Sequence, residues 1–280
     1  MADEKPIVVP LDGSSAAEHA LPVATELAAA FGVGIRFVHA VDPDRAPSRT
    51  DFERAQAVFN TYAQNLAARH GLPAGSVRCE VRPGAAARVV LEAASTARFI
   101  VISSHGRGGF QATVIGSVAD KVVRSAPVPT IMVPALADPP RLHGKPMLIA
   151  LDGSQEAERA LEFGRDLAKK VGATVVLLRA YTIPPMTAVE FSYYPPGVLS
   201  SFEDSARAYL REVARPGEET VVAQGSPAAV IVEAAERLDA GLVAMASSGK
   251  GLASRLALGS VTERVMHTLR RSLLVLPPAN

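Results

Sequence analysis

The sequence predicts an α/β protein made of two tandem, doubly wound domains, each with a five-stranded parallel sheet in strand order 3-2-1-4-5. Three observations predict it. The 280-residue chain is written twice. Its strand candidates are rich in Val and Ile, and too continuously apolar for a half-exposed antiparallel sheet. Amphipathic helical segments lie between them, giving the alternation that a parallel sheet requires.

The repeat comes first because everything else depends on it. With an offset of 140, "IVVPLDGSSAAEHALPVATELAAAFGVGIRFVHA" (7–40) lies over "MLIALDGSQEAERALEFGRDLAKKVGATVVLLRA" (147–180), and twelve of 34 positions are identical. With an offset of 143, "SSHGRGGFQATVIGSV" (103–118) lies over "ASSGKGLASRLALGSV" (246–261). Such a period is far longer than the 20 to 50 residues of solenoid units. It predicts two whole domains, 1–136 and 145–280, joined by the Pro-rich polar stretch "ALADPPRLHGKP" (135–146).

In chain order, the first half offers "IVVPL" (7–11) as strand one. A helix follows in which Ala20, Leu21, Ala24, Leu27, Ala28 and Phe31 share a face, with Ser15 and Glu18 at capping-box spacing. Pro22 sits inside that helix and is expected to kink it. Next come "GIRFVHAV" (34–41), a helix over 51–71, "VRCEV" (77–81), a helix over 85–97, "FIVIS" (99–103), a helix starting at Ser117, and "TIMVP" (130–134). Right-handed crossovers then make a Rossmann-like sheet the economical solution. The second half repeats the pattern, with a longer loop rich in Pro and Tyr at 181–201, read as a surface loop or as a lid or docking surface.

Composition narrows the function classes. Hydrophobic residues make up 48% and charged residues 20%, which describes a globular chain. The net charge of +1 gives no global reason to expect nucleic acid or an anionic membrane as partner, so any anion site must be local. The single cysteine, Cys79, leaves no intramolecular disulfide or Cys-based zinc cluster, and it reads as an ordinary strand residue. No stretch approaches the roughly 20 apolar residues of a membrane span, and the charged N-terminus has no signal-like core. A cytoplasmic location is the expectation.

Open α/β sheets bind ligands beyond the carboxyl ends of their strands, where strand order reverses. Here that point falls between strands one and four. Strand one ends at Asp12 (Asp152 in the second half); strand four ends at Ser103 (Ala246), directly before a glycine-rich loop. In both halves a glycine, nine residues and then Gly-Ser recur: Gly106 to Gly116-Ser117, and Gly249 to Gly259-Ser260. Glycines let main-chain N–H groups approach an anion, and a helix starting at Gly-Ser adds unpaired donors with partial positive charge. A phosphate cradle is one reading; simple turns and N-caps are the other. Asp-Gly-Ser is likewise either strand-to-helix turn chemistry or a ligand contact.

Other candidates are weaker. Arg107 and Lys250 hold matching loop positions, as do Lys121 and Arg264 on the following helix; they read as solvated charges or phosphate partners. His105 is matched by Ser248 and His39 by Arg179, which argues against catalysis by either histidine. Neither a Walker A loop nor a full GxGxxG fingerprint is present, and no nucleophile–base set, metal cluster or Gly-x-Ser-x-Gly elbow appears.

Taken together, these residues resemble the universal stress protein family in its tandem form, over nearly the whole chain. In ATP-binding members the motif is Gly, two residues, Gly, nine residues, Gly, then Ser or Thr, with an Asp at the end of strand one. The resemblance implies a stress-response protein that binds ATP, with Mg²⁺, without catalysing a reaction. The implied nucleotide contacts are Pro10, Asp12, Ala40, Ser103, Gly106, Arg107, Gly108, Gly116, Ser117 and Val118 in the first half. In the second half they are Asp152, Ala180, Ala246, Gly249, Lys250, Gly259, Ser260 and Val261. The first glycine of the motif is replaced by Ser103 and Ala246, a departure that bears on ATP affinity. Family members commonly pair their last strands, here "TIMVP" and "LLVLP", so the resemblance implies an intramolecular pseudo-dimer, with a homodimer as the other arrangement. Besides the adenine nucleotide, a protein partner fits the resemblance. The alternatives are a nucleotide-independent docking module and a slow ATP-hydrolysing or nucleotidyl-transfer enzyme.

Overall fold

Burial on both faces makes the strands what they are. The computed structural model describes residues 5–44, 48–73, 75–106, 115–135, 141–183, 197–248 and 258–278. In the first half β1 (Ile7–Pro10), β2 (Ile35–Val41), β3 (Val77–Pro83), β4 (Phe99–Ser103) and β5 (Thr130–Val133) alternate with helices α1 (Ser15–Glu18), α2 (Leu21–Phe31), α3 (Arg49–Arg69), α4 (Ala86–Ala94) and α5 (Ser117–Ser125). In the second, β6 (Pro146–Ala150), β7 (Thr174–Tyr181), β8 (Glu219–Gln224), β9 (Leu242–Ala246) and β10 (Ser272–Leu276) alternate with α6 (Gln155–Val171), α7 (Val198–Val213), α8 (Pro227–Arg237) and α9 (Ser260–Thr268). Every residue of β4, β5 and β10 is buried, as expected for strands covered on both sides.

The strands form one ten-stranded sheet in the order β3-β2-β1-β4-β5-β10-β9-β6-β7-β8. Each half therefore has the order 3-2-1-4-5 expected from the alternation of strands and helices, and pairing within each half is parallel. The halves meet at an antiparallel seam in which Ile131 faces Leu274, Met132 faces Leu273 and Thr130 faces Val275. Two edge strands that would each template aggregation thus cover one another, as the family resemblance implied.

The helices lie on both faces. On one, an apolar core runs through residues of both halves, with Phe31, Phe99 and Phe163 in contact at centroid distances of 5.2 Å and 5.9 Å. The other face carries α4 with α5 and α8 with α9 in two clusters, Val123 and Met132 packing among residues of the second half. Arg124 of α5 holds Asp120 on its own helix and reaches Glu263 of α9 at 2.8 Å. The end of the connecting stretch is docked too: Glu26 accepts the N–H groups of Leu142 and His143 at 2.8 Å and 3.0 Å.

Three local expectations are corrected. The N-cap before α1 is Ser14, whose hydroxyl accepts the Ala17 N–H at 3.2 Å, and not Ser15; Glu18 instead binds the Tyr62 hydroxyl at 2.9 Å. Pro22 does more than kink the helix, because α1 stops at Glu18 and α2 restarts at Leu21 with the proline in its first turn. There its missing N–H costs no hydrogen bond. The second half has Glu162 at the matching position, and α6 is unbroken from Gln155 to Val171. The third helix starts at Arg49 rather than Asp51, since Ser48 caps it by accepting the Asp51 N–H at 3.2 Å. Most of the 181–201 loop lies outside the described residues.

Candidate functional site at the two strand-order reversals

Strand β1 lies between β2 and β4, and β6 between β7 and β9. Connections leaving neighbouring strands there diverge to opposite faces and open a crevice at the carboxyl ends. The first is a cleft of about 320 Å³ bounded by Pro10–Asp12, Ala40, Ser103–Gly106 and Gly116–Ala119. Its counterpart, about 240 Å³, is bounded by Ala150–Asp152, Ala180, Ala246, Ser248 and Gly259–Thr262. The first volume stands at the small end of ligand pockets and the second just below it.

Asp12 serves the turn and the cleft together. One carboxylate oxygen accepts the Ser14 N–H at 2.9 Å and the Ser14 hydroxyl at 2.6 Å, which fixes the strand-to-helix turn. The positive φ of Gly13 (84°) is what lets the chain turn there. The other oxygen lies against Gly106, where an added Cβ would come within 2.6 Å of it. Asp152 repeats the turn bonds to Ser154 at the same two distances.

Across the cleft, α5 and α9 begin on Gly116 and Gly259, extended residues that offer no side-chain cap. Ser117 and Ser260 are therefore first-turn residues and not caps. The first intrahelical bonds are Asp120 N–H to Gly116 C=O and Glu263 N–H to Gly259 C=O, so Ser117, Val118 and Ala119, like Ser260, Val261 and Thr262, have no intrahelical acceptor for their amides. Those amides and the helix dipole make the end of each cleft attractive to an anion. The opposite wall is apolar: Ala86 and Val90 of α4 in the first, Pro227 and Ile231 of α8 in the second. An elongated ligand with one anionic and one apolar end matches this polarity.

All the proposed contact residues that the structure describes line these two clefts. Arg107, Gly108, Gly249 and Lys250 lie outside the described residues. Lys121 and Arg264 are exposed on α5 and α9 and belong to neither cleft lining. The α4 and α8 walls were missed from sequence, although their i, i+4 spacing at equivalent places in the two halves was a usable signal. His39 and Arg179 were noticed only as a mismatch, yet both line their clefts. His39 Nδ1 donates to the Leu11 carbonyl at 2.7 Å, and its ring stacks on Phe59 at 4.8 Å. The Arg179 guanidinium lies 4.4 Å over the Tyr209 ring. Burial and the neighbouring Glu18 push the Tyr62 hydroxyl well above its ordinary value, and burial with Glu158 pushes Tyr209 up to about 12.

Comparison with known proteins agrees with this fold. The family model described as the universal stress protein family matches residues 4–134 and again 144–277. The chain belongs to the universal stress protein family. A universal stress protein of Mycolicibacterium smegmatis is 26% identical over 308 residues, spanning 99% of this chain and 98% of its own. One from Mycobacterium tuberculosis is 26% identical over 289 residues, spanning 96% and 95%. Among solved structures, a universal stress protein from Archaeoglobus fulgidus superposes with a TM-score of 0.68 at 20% identity over 98% of each chain. A putative universal stress protein from Pseudomonas aeruginosa gives 0.68 at 19% identity over 98% of this chain and 93% of its own. Both structures show the tandem universal stress protein fold along the whole chain.

Proposed function

We propose that this universal stress protein is a non-catalytic ATP-binding protein of the stress response, whose nucleotide biases conformation or partner affinity. Phosphates would lie at the starts of α5 and α9, held by the amides of Ser117 and Val118 and of Ser260 and Val261, close to Gly106. The base would occupy the apolar end, near Pro10 and Ala40 or Ala180, with Asp12 or Asp152 between. The loop residues Arg107, Gly108, Gly249 and Lys250 belong to the same proposal, as do Ser103 and Ala246 on the floor.

What supports this reading is the recurrence of one cleft in both halves: an aspartate ending the first strand, opposite an uncapped Gly-Ser helix start. Gly106 lies so close to the Asp12 carboxylate that no side chain fits between them, which keeps loop backbone at the edge of the cleft. Mg²⁺ would arrive on the phosphates. No group of three or more His, Cys, Asp or Glu suited to a metal is found among the described residues. A bound nucleotide acts here only through its differential affinity for two states of the protein. We further propose that residues 1–136 and 145–280 are the two units that respond, and that the cytoplasm is their location. No helix among the described residues is long and apolar enough to cross a membrane.

Mass spectrometry of small molecules released on denaturing the purified chain, followed by ATP titration, tests the proposal. The expected result is an adenine nucleotide, or saturable ATP binding below millimolar concentration. Neither bound nucleotide nor millimolar binding would leave the nucleotide-independent docking module as the better account.

A further inference from the structure

On the α3 side of the β1 and β2 ends lies a groove of about 560 Å³, lined by Asp12, His39, Arg54, Val58, Phe59 and Tyr62. Asp12 and His39 also line the first cleft, so groove and cleft adjoin at these two side chains. The groove is aromatic along one wall, His39 stacked on Phe59 and Phe59 tilted 46° against Tyr62. Its rim carries Val58, 65% exposed and the one large hydrophobic residue so exposed among the described residues. A planar, largely apolar group is the chemistry such walls recognise.

The second half is built differently at the equivalent place. Tyr62 binds Glu18 as Tyr209 binds Glu158, which aligns α3 with α7. Three residues before these tyrosines stand Phe59 and buried Ala206. Leu11 N–H binds the Val38 carbonyl as Leu151 N–H binds that of Leu178, which aligns His39 with Arg179. The smaller Ala206 leaves room for the Arg179 guanidinium over Tyr209, and its Nη1 presses on Gly153, where a Cβ would meet it at 2.7 Å. That Nη1 is buried with no hydrogen-bond partner among the described residues. Among the described residues the groove is lined by the first half's own side chains, His39 and Phe59 standing where the second half has Arg179 and Ala206.

We propose that the first half takes a nucleotide whose base or sugar carries a planar aromatic substituent, the nucleotide in the cleft and the substituent in the groove against Val58 and Tyr62, with buried Phe59 backing that wall. This rests on the nucleotide reading of the cleft. The test titrates the full chain with ATP, N6-benzyl-ATP and 2′(3′)-O-(N-methylanthraniloyl)-ATP, the latter two placing the ring on the base or on the sugar. At least one substituted nucleotide is expected to bind about fivefold more tightly than ATP at one site per chain, the scale of a stacked aromatic pair. Val58→Glu removes that gain and leaves ATP affinity unchanged, while Val58→Leu retains it. ATP binding with no gain for either probe, or a gain that survives Val58→Glu, overturns this proposal alone. Failure of all three nucleotides to bind overturns the nucleotide reading and this proposal with it.

Discussion

The Asp12 carboxylate divides its oxygens between two tasks, one closing the turn to Ser14 and the other lying against Gly106. Gly106→Ala would bring a Cβ within 2.6 Å of that second oxygen, so the carboxylate or the loop must move. ATP affinity is expected to fall about tenfold or more, the loss of roughly one charge-assisted contact; unchanged affinity by calorimetry would detach this pair from the site. Ser103→Gly with Ala246→Gly removes side chains from the cleft floors and restores the family's glycine. The expected outcome is tighter ATP binding in the same titration, and weaker binding would show that these side chains serve the ligand. Sequence made the aspartates, glycines and helix starts legible because they are local and occur twice. It did not make legible the roles of His39 and Arg179, because what each ring or guanidinium rests on, Phe59 or Tyr209, comes from a helix 20 or more residues away.

At the scale of elements, α6 is held by an ion network centred on Arg165. Arg165, its side chain 8% exposed, binds Glu218 at 2.6 Å, Glu162 at 2.7 Å and the Val213 carbonyl at 2.6 Å, tying α6 to the end of α7 and the approach to β8. Arg165→Met removes the main partner of the half-buried Glu218, which keeps only the Arg215 amide, and is expected to cost about 2–4 kcal/mol in denaturant unfolding; a loss under about 1 kcal/mol would make the network a surface feature. Burial alone would raise the Glu218 carboxyl, but hydrogen bonds from Arg165 and the Arg215 amide, with both charges, hold it below its ordinary value. A carboxyl depressed in the folded state gives stability that is complete above its unfolded value, about 4.3. That stability is lost as pH falls through the folded value. Acidification from pH 5 to 3 should therefore lower the melting temperature of the wild type more than that of Glu218→Gln. Equal slopes would remove Glu218 from the acid response. Helix and strand identities were readable from periodicity and apolar runs, whereas helix starts shifted by one or two residues. Those starts depend on which serine hydroxyl reaches a backbone N–H, as Ser14 and Ser48 do.

At the scale of the molecule, the repeat revealed two copies of one fold, but periodicity alone could not say how the copies meet. That information sits in the antiparallel register of β5 on β10 and in a core shared by both halves. Leu274, 1% exposed, faces Ile131 across the seam. Leu274→Ala is expected to cost about 2–5 kcal/mol and to lower a single cooperative unfolding transition; separate transitions for the two halves in calorimetry would show that the seam does not couple them. The same arrangement leaves the two clefts facing ligand independently, each with its own aspartate and helix start. The most direct test of their function is calorimetric titration of ATP into the wild type and into Gly116→Val with Gly259→Val, with melting curves recorded on both. A Cβ at Gly116 would already lie 3.4 Å from the Ser104 carbonyl, so the valine branches crowd the start of α5. Saturable binding by the wild type and its loss in a folded double variant is the predicted result; undiminished ATP affinity in that variant would contradict it.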